Sequence, residues 1–380
     1  MINFMKLGSA STVALEFLCL ITSCHCCFAL TPVTTLKEAY KSNFAIGTAV
    51  PGADLSPGEQ KLLCENFSNI TPENCFKPMA LEATEGNLTF DRADSLVEFA
   101  TVHGLKINGH TLVWGESAPS WFFLDGNHPS SPETVRQRLG NYIHTVTTHF
   151  RGKVASWDVV NEAISDGPEF LKKTPWLDAL GEDYIAEAFK AAHEGDPEAK
   201  LYYNDYGIES PGKREKTLRL IRGLKARGVR IDGVGIQGHW RLDHVPMREI
   251  EEAVTAFHAE GLDVMITELD LDVVPRNSTG ADVTAREQRT RDPYARGCPE
   301  EILRRQAGQY ASLFTLFRRH AGKIIRVTFW GLHDGRSWLN YWPSKRTNYP
   351  LLFDRNLQPK PALTSVIQPS DSSARSSATP

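Results

Sequence analysis

From about residue 40 onward, short runs of consecutive apolar residues alternate with longer stretches in which apolar residues return every three or four positions. A run of the first kind reads as a strand covered on both faces, and a stretch of the second as an amphipathic helix. Strands are predicted over 43–49, 69–74, 106–114, 156–162, 200–206, 233–239, 263–270 and 324–331. Helices are predicted between them over 57–67, 92–103, 133–149, 182–193, 213–227, 247–260 and 300–319. Val135, Leu139, Tyr142, Ile143 and Val146 show the helical period, whereas Val264-Met265-Ile266 and Val159-Val160 leave no polar face on their strands. Strand-then-helix units without a long antiparallel run predict a parallel α/β fold. The count of eight favours a closed (β/α)8 TIM barrel, in a single catalytic domain, over an open doubly wound sheet.

Barrels of this kind collect their chemistry at the carboxyl ends of the strands. Glu73-Asn74 ends the second predicted strand, His110 and Trp114 the third, Asn161-Glu162 the fourth and Asn204-Asp205 the fifth. Gln237 and His239 end the sixth, Glu268 the seventh and Trp330 the eighth. Strands four and seven lie on opposite sides of a ring of eight, so Glu162 and Glu268 are set to face each other. Two such carboxyls can cleave a glycosidic bond if one holds a proton for the leaving oxygen and the other is ionised. A separation of about 5–5.5 Å would make the pair retaining, and about 6.5–9.5 Å inverting.

These blocks resemble family 10 of the glycoside hydrolases. The matching text is Ile70-Thr71-Pro72-Glu73-Asn74 with Lys77, Gly109-His110-Thr111-Leu112-Val113-Trp114 and Trp157-Asp158-Val159-Val160-Asn161-Glu162. It continues through Tyr203-Asn204-Asp205-Tyr206, Gln237-Gly238-His239, Ile266-Thr267-Glu268-Leu269-Asp270, Phe329-Trp330-Gly331 with Ser337-Trp338, and Pro350-Leu351-Leu352-Phe353-Asp354. The resemblance covers about residues 40–365 and implies an endo-β-1,4-xylanase with a retaining mechanism and no cofactor or metal, acting on xylan or xylo-oligosaccharides. It makes Glu162 the general acid and then base, and Glu268 the nucleophile. Asn161 then bonds the 2-hydroxyl of the sugar at the −1 subsite, and His239 orients the nucleophile. Glu73, Asn74 and Lys77 bind hydroxyls on the non-reducing side, with His110 in the −1 subsite. Tyr206 and Gln237 join the substrate-binding set, and Trp114, Trp330 and Trp338 offer indole faces to the sugar. Trp121, Trp157 and Trp176 are assigned to the core. Two departures stand out: Gly115-Glu116-Ser117 replaces the family's His-Ser-Gln, and Trp338-Leu339-Asn340-Tyr341-Trp342 lacks the usual Arg. A related β-1,4- or mixed-linkage glucanase is the neighbouring alternative, and a barrel that only binds polysaccharide is the alternative outside enzymes.

Composition narrows the partners. The chain has 380 residues, 41% hydrophobic and 23% charged, with a net charge of −4 and no basic block, which argues against nucleic acid or an anionic membrane surface as partner. A neutral polymer suits this balance; no protein partner is expected, and the protein is taken as a monomer. Gly233-Val234-Gly235-Ile236-Gln237-Gly238 spells a dinucleotide fingerprint, but a loop rather than a helix is expected after it, so no phosphate site is assigned.

Residues 1–29 read as an export signal, with Lys6 ahead of the apolar stretch 13–29, which places the protein outside the cytoplasm, secreted or periplasmic. The rival is a lipoprotein signal ending before Cys24, since Ile21-Thr22-Ser23-Cys24 resembles a lipobox. Residues 30–368 form the catalytic domain and 369–380 a disordered Ser-rich tail. Cys64, Cys75 and Cys298 remain after the leader and allow one disulfide at most; buried free thiols are the expectation. Asn66, Asn69, Asn87 and Asn277 head glycosylation triplets.

Overall fold

Each apolar run finds its neighbours in chain order, and the last closes onto the first. The computed structural model describes residues 35–275 and 292–368. Its strands are β1 (Ala45–Val50), β2 (Asn69–Pro72), β3 (Lys106–Trp114), β4 (Ser156–Asn161), β5 (Lys200–Asp205), β6 (Gly233–Ile236), β7 (Asp263–Asp272) and β8 (Ile324–Phe329). β8 pairs in parallel with both β1 and β7, so the eight strands form a closed parallel barrel. The leader and Cys24, the Asn277 triplet and the tail lie outside the described residues.

Helices α1 (Pro57–Asn66), α2 (Asp91–Val102), α3 (Pro132–His149), α4 (Asp183–Gly195), α5 (Pro211–Ala226), α6 (Met247–Ala259), α7 (Glu300–Arg319) and α8 (Pro361–Ile367) follow the strands in turn. Proline opens α1, α3, α5 and α8, where a missing N–H costs the helix nothing. That is why α3 and α5 start earlier than their apolar periods suggest. Ser56 and Glu59 cap α1 reciprocally, and Ser131 accepts from Thr134 N at the head of α3. α8 has only seven residues, too few to display a helical period, and was not predicted.

One predicted strand divides. The run over 233–239 stops at Ile236, turns at Gly238 with φ +82°, and resumes as a short strand, His239–Arg241, paired with the end of β7. This pairing also carries β7 two residues beyond the predicted end, to Asp272. No helix begins inside the glycine run, in keeping with the rejection of a dinucleotide site.

Trp157 on β4 is fully buried against Phe76 and Phe150, and Trp176 packs edge-on to Phe122 and Phe123. Trp121 is only half-buried, stacked on Phe122 with its Nε1 donating to Glu82 O. Cys64, Cys75 and Cys298 are free thiols, with Cys75 buried and the other two half-buried.

The barrel floor, unlike its flanks, is polar. Arg326 Nη1 donates to Ser156 Oγ at 3.1 Å, Ser156 Oγ to Asn108 Oδ1 at 2.6 Å, and Asn108 Nδ2 to Asp158 Oδ2 at 2.9 Å. All four side chains are buried, so these bonds meet a need that solvent does not serve.

The close approach of β3 to β4 depends on Gly109, where a Cβ would lie 2.3 Å from Trp157 Cε3. Gly109→Ala is expected to cost about 1–3 kcal/mol by overpacking, measured as a fall in the denaturant midpoint. An unchanged midpoint would show that the indole can shift without cost.

Candidate active site

The strand ends converge on one open cleft, lined by Glu73, Lys77, His110, Trp114, Asn161, Glu162, Gln237, His239, Glu268, Trp330 and Trp338. Each was singled out in the sequence. The remaining two, Asn74 and Tyr206, are not among the lining groups. Asn74 is exposed and accepts from Lys77 Nζ at 3.0 Å, holding the ammonium 4.9 Å from the Trp114 ring centroid. Tyr206 is buried, donates its hydroxyl to Asp166, and packs under the ammonium groups of Lys172 and Lys213.

Glu162 sits where β4 ends, with φ +57°, in a left-handed conformation that non-glycine residues seldom adopt. The turn is braced on both sides. Glu162 N donates to Asn204 O at 2.9 Å, and the next two backbone N–H groups, of Ala163 and Ile164, both donate to Tyr203 OH at 3.0 Å. The carboxyl accepts from Trp114 Nε1 at 3.1 Å on Oε2 and from Gln237 Nε2 at 3.0 Å on Oε1, with Lys172 Nζ 3.5 Å from Oε2. Burial raises its proton affinity above that of an ordinary carboxyl; the Lys172 charge and the Gln237 hydrogen bond oppose this without cancelling it, and the charges of Asp205 and Glu268 add to it.

Glu268 meets the opposite surroundings on β7. Its Oε1 accepts from Asn204 Nδ2 at 2.7 Å, and its Oε2 lies 3.1 Å from His239 Nε2. Burial alone would raise its proton affinity. The His239 hydrogen bond, the charges of His110 and His239, and the Asn204 hydrogen bond together outweigh burial and hold the carboxyl below its usual range.

His239 is the reason this works. Its Nδ1 lies 3.0 Å from Asp270 Oδ2, so the ring stands between two carboxylates. Burial would strip its proton, but the charge and hydrogen bond of Asp270, with those of Glu268, prevail and push its pKa up to about 10. The ring is therefore an imidazolium at neutral pH that donates on both sides. Asp270 Oδ2 also accepts from Trp338 Nε1 at 2.8 Å, which fixes that indole over the cleft, and Trp342 stacks on Trp338 with centroids 4.8 Å apart. This aromatic pair occupies the stretch that lacks the family's Arg.

The other wall is built the same way. His110 Nδ1 is 3.0 Å from Asp158 Oδ2, the carboxylate that ends the polar chain across the barrel floor. Trp330 lies edge-on to both imidazoles, 5.2 Å from His110 and 6.3 Å from His239 between centroids. Asn161 Oδ1 accepts from Asn204 Nδ2 at 2.9 Å and from Gln237 Nε2 at 3.4 Å, which turns its own Nδ2 away from both. Burial raises the proton affinity of Glu73 and lowers that of Lys77, each against the pull of the other's charge. Glu116, of the Gly115-Glu116-Ser117 departure, is exposed on a short 3-10 turn (Gly115–Ser117) and is absent from the lining.

Sequence reading missed four supporting groups. Asn204, which bridges Asn161 and Glu268, was visible as a strand-end amide but received no role. Asp158 and Asp270 lie inside quoted motifs, yet which histidine each would hold depends on strand register. Lys172 gave no signal, because it reaches Glu162 only through the fold of its loop. Among the described residues no group of His, Cys, Asp and Glu is arranged to hold a metal. The arrangement suits general acid–base and nucleophilic chemistry: a carboxyl of raised proton affinity and one of lowered proton affinity line the same cleft.

The sequence model described as glycosyl hydrolase family 10 matches residues 35–369. A β-1,4-xylanase of Dictyoglomus thermophilum is 40% identical over 338 residues, covering 88% of this chain and 91% of that protein. Among solved structures, a GH10 endoxylanase from a sugarcane soil metagenome superposes with a TM-score of 0.84 at 40% identity, covering 87% of this chain and 99% of the other. Xylanase B of Clostridium stercorarium F9 gives 0.82 at 37% identity, with 88% and 99% covered.

Asp270→Asn should lower the His239 pKa from about 10 by at least about one unit, read by NMR titration of the imidazole. A ring that still titrates near 10 would show that Asp270 is not what holds its charge.

Proposed function

Because the chain belongs to glycosyl hydrolase family 10, we propose that it hydrolyses internal β-1,4-xylosidic bonds of xylan with retention of configuration, using Glu162 as acid/base and Glu268 as nucleophile. The observation that carries this reading is that two buried carboxyls line one cleft with opposite surroundings, which raise the proton affinity of Glu162 and lower that of Glu268. Protonated Glu162 donates to the glycosidic oxygen as the C–O bond breaks, and ionised Glu268 attacks the anomeric carbon to form a glycosyl ester. Water then attacks that carbon, losing its proton to the Glu162 carboxylate, and the ester bond returns its electron pair to Glu268.

The remaining groups bind the chain of sugars. Asn161 Nδ2 donates to the 2-hydroxyl, a contact that strengthens as the ring approaches an oxocarbenium ion. His110 contacts the same sugar, while Glu73, Asn74 and Lys77 take hydroxyls on the non-reducing side. Trp330 and Trp338 close over the sugar, where xylose lacks the hydroxymethyl group that glucose would push against them. The named relatives and neighbours are xylanases, which supports xylan over a glucan. The large apolar side chains exposed among the described residues, Met79, Val102, Leu124 and Tyr341, come from separate elements, which supports action as a monomer.

Glu268→Ala should lower kcat on xylan by at least about 10⁴-fold while the polymer still binds, as measured by reducing-sugar release and by pull-down on insoluble xylan. Retained turnover would reject the assignment. In the intact enzyme, kcat/KM should be bell-shaped in pH. It falls on the acid side as Glu268 takes up a proton, at a pH lowered by its donors, and on the basic side as Glu162 loses one, at a pH raised by burial. Equal rates on xylan and carboxymethylcellulose would move the reading to a glucanase.

We also propose that residues 1–29 direct export and are removed, leaving 30–368 as the catalytic unit and 369–380 as its tail. Intact mass of protein recovered outside the cytoplasm should begin near residue 30. A mass beginning at Cys24 with added acyl chains would establish the lipid-anchored form instead.

A further inference from the structure

One charged group that reaches the Glu162 carboxyl, and that neither the sequence nor the proposed mechanism uses, is a lysine ten positions further on. It returns because the loop after β4 folds back as a small hairpin. Ser165 N donates to Phe170 O at 3.2 Å, Lys172 N to Ala163 O at 2.8 Å, and Ile164 forms an antiparallel bridge with Leu171. The base of the hairpin is pinned to β5, where Ala163 N and Ile164 N share the Tyr203 hydroxyl and Ile164 N also lies 3.2 Å from Asp205 Oδ2. The result places Lys172 Nζ 3.5 Å from Glu162 Oε2, with its side chain only 19% exposed.

Tyr206 supports it from below. The Lys172 ammonium lies 4.7 Å from the centroid of that ring, which is itself fixed by Asp166 at the hydroxyl and by Lys213 at 3.7 Å from the centroid. Such a face attracts a cation without neutralising it; the other anion within its influence, Asp166, is itself paired with Lys213 at 3.0 Å.

We propose that Lys172 is a positioning residue for the second half of the reaction: it holds the Glu162 carboxylate, once its proton has gone, ionised and aimed as the base that accepts a proton from water. The proposal rests on the acid/base reading of Glu162. The charges that act on Glu162 are Lys172 and Lys77 on the cationic side, and Asp205 and Glu268 on the anionic side. While Glu268 is ionised, its charge helps burial to keep the proton on Glu162, against the pull of Lys172. When Glu268 becomes an ester that charge disappears, and Asp205 is paired with Lys213 at 3.0 Å. Loss of the Glu268 charge lowers the proton affinity of Glu162 and leaves Lys172, 3.5 Å from Oε2, as the nearest cation to the carboxylate that forms. Lys172 itself neither gives nor takes a proton. The water proton passes to Glu162 as the new C–O bond forms and the ester bond breaks.

The test is Lys172→Met beside Lys172→Arg, with Lys172→Gln as a second neutral variant should the methionine form fold poorly. Removing the cation raises the proton affinity of Glu162, so the basic limb of kcat/KM on xylan should move up by about one pH unit. With a dinitrophenyl xylobioside, whose leaving group needs no acid, hydrolysis of the glycosyl-enzyme limits turnover. On that substrate kcat at neutral pH should fall about tenfold or more, with KM falling alongside as the ester accumulates. Arg at 172 should restore both. An active neutral variant with an unmoved basic limb, or with wild-type kcat on the aryl substrate, overturns the proposal. Failure of the underlying reading looks different: Glu162→Ala would then retain turnover on xylan, and this proposal would fall with it.

Discussion

An imidazolium held between two buried carboxylates sets the chemistry of the cleft. His239 keeps its proton because Asp270 and Glu268 flank it, and Glu268 gives up its own because His239 is charged. Neither state is stable alone, since burial opposes charge on each group. Across the cleft the same burial acts on Glu162, and there the Lys172 charge and the Gln237 hydrogen bond do not outweigh it, so its proton affinity is raised. One low-dielectric site thus produces an acid and an anion from the same side-chain type, and the difference lies in their neighbours. Trp338 is bound into this balance through the Asp270 oxygen that also faces His239.

Backbone placement makes those neighbours dependable. Glu162 accepts a left-handed conformation at the end of β4 and is braced there by β5, through Asn204 O and the Tyr203 hydroxyl. Glu268 N is tied to Gln237 O at 2.7 Å, and Gln237 N to Asp205 O at 3.1 Å. Each reactive side chain therefore hangs from a peptide held from a neighbouring strand of the ring, Glu162 from β5 and Glu268 from the end of β6. Closure removes free edges, so no member of this circle can drift without stretching another.

Much of this could be read from the chain. Consecutive apolar residues such as Val264-Met265-Ile266 mark strands buried on both faces, and the rule that chemistry gathers at strand ends picked out the groups that line the cleft except Lys77 and Trp338, which came from the family resemblance. What stayed hidden has a common cause. The division at Gly238 depends on a positive φ that the apolar pattern does not encode, and the proline starts of α3 and α5 lie outside the helical period. Tyr206 follows a strand end and sits in a matching motif, but the residue after the last strand position can turn either way, and here it turns beneath Lys172. Which carboxylate steadies which histidine is a matter of register between strands, and Lys172 is delivered by a hairpin whose bonds are backbone to backbone. Partners set by the shape of the main chain leave little trace in side-chain types.

The polar floor of the barrel has one more consequence. Arg326, Ser156, Asn108 and Asp158 form a tether that begins at the end of the cylinder remote from the sugar and finishes on the ring of His110. Filling such an interior with aliphatic side chains is a common route to a hardier protein, since buried ions seldom help stability. In this chain that remedy would cut loose an imidazole at the opposite mouth. Room for improving the scaffold thus lies in the outer layer of helices rather than along the cylinder's axis.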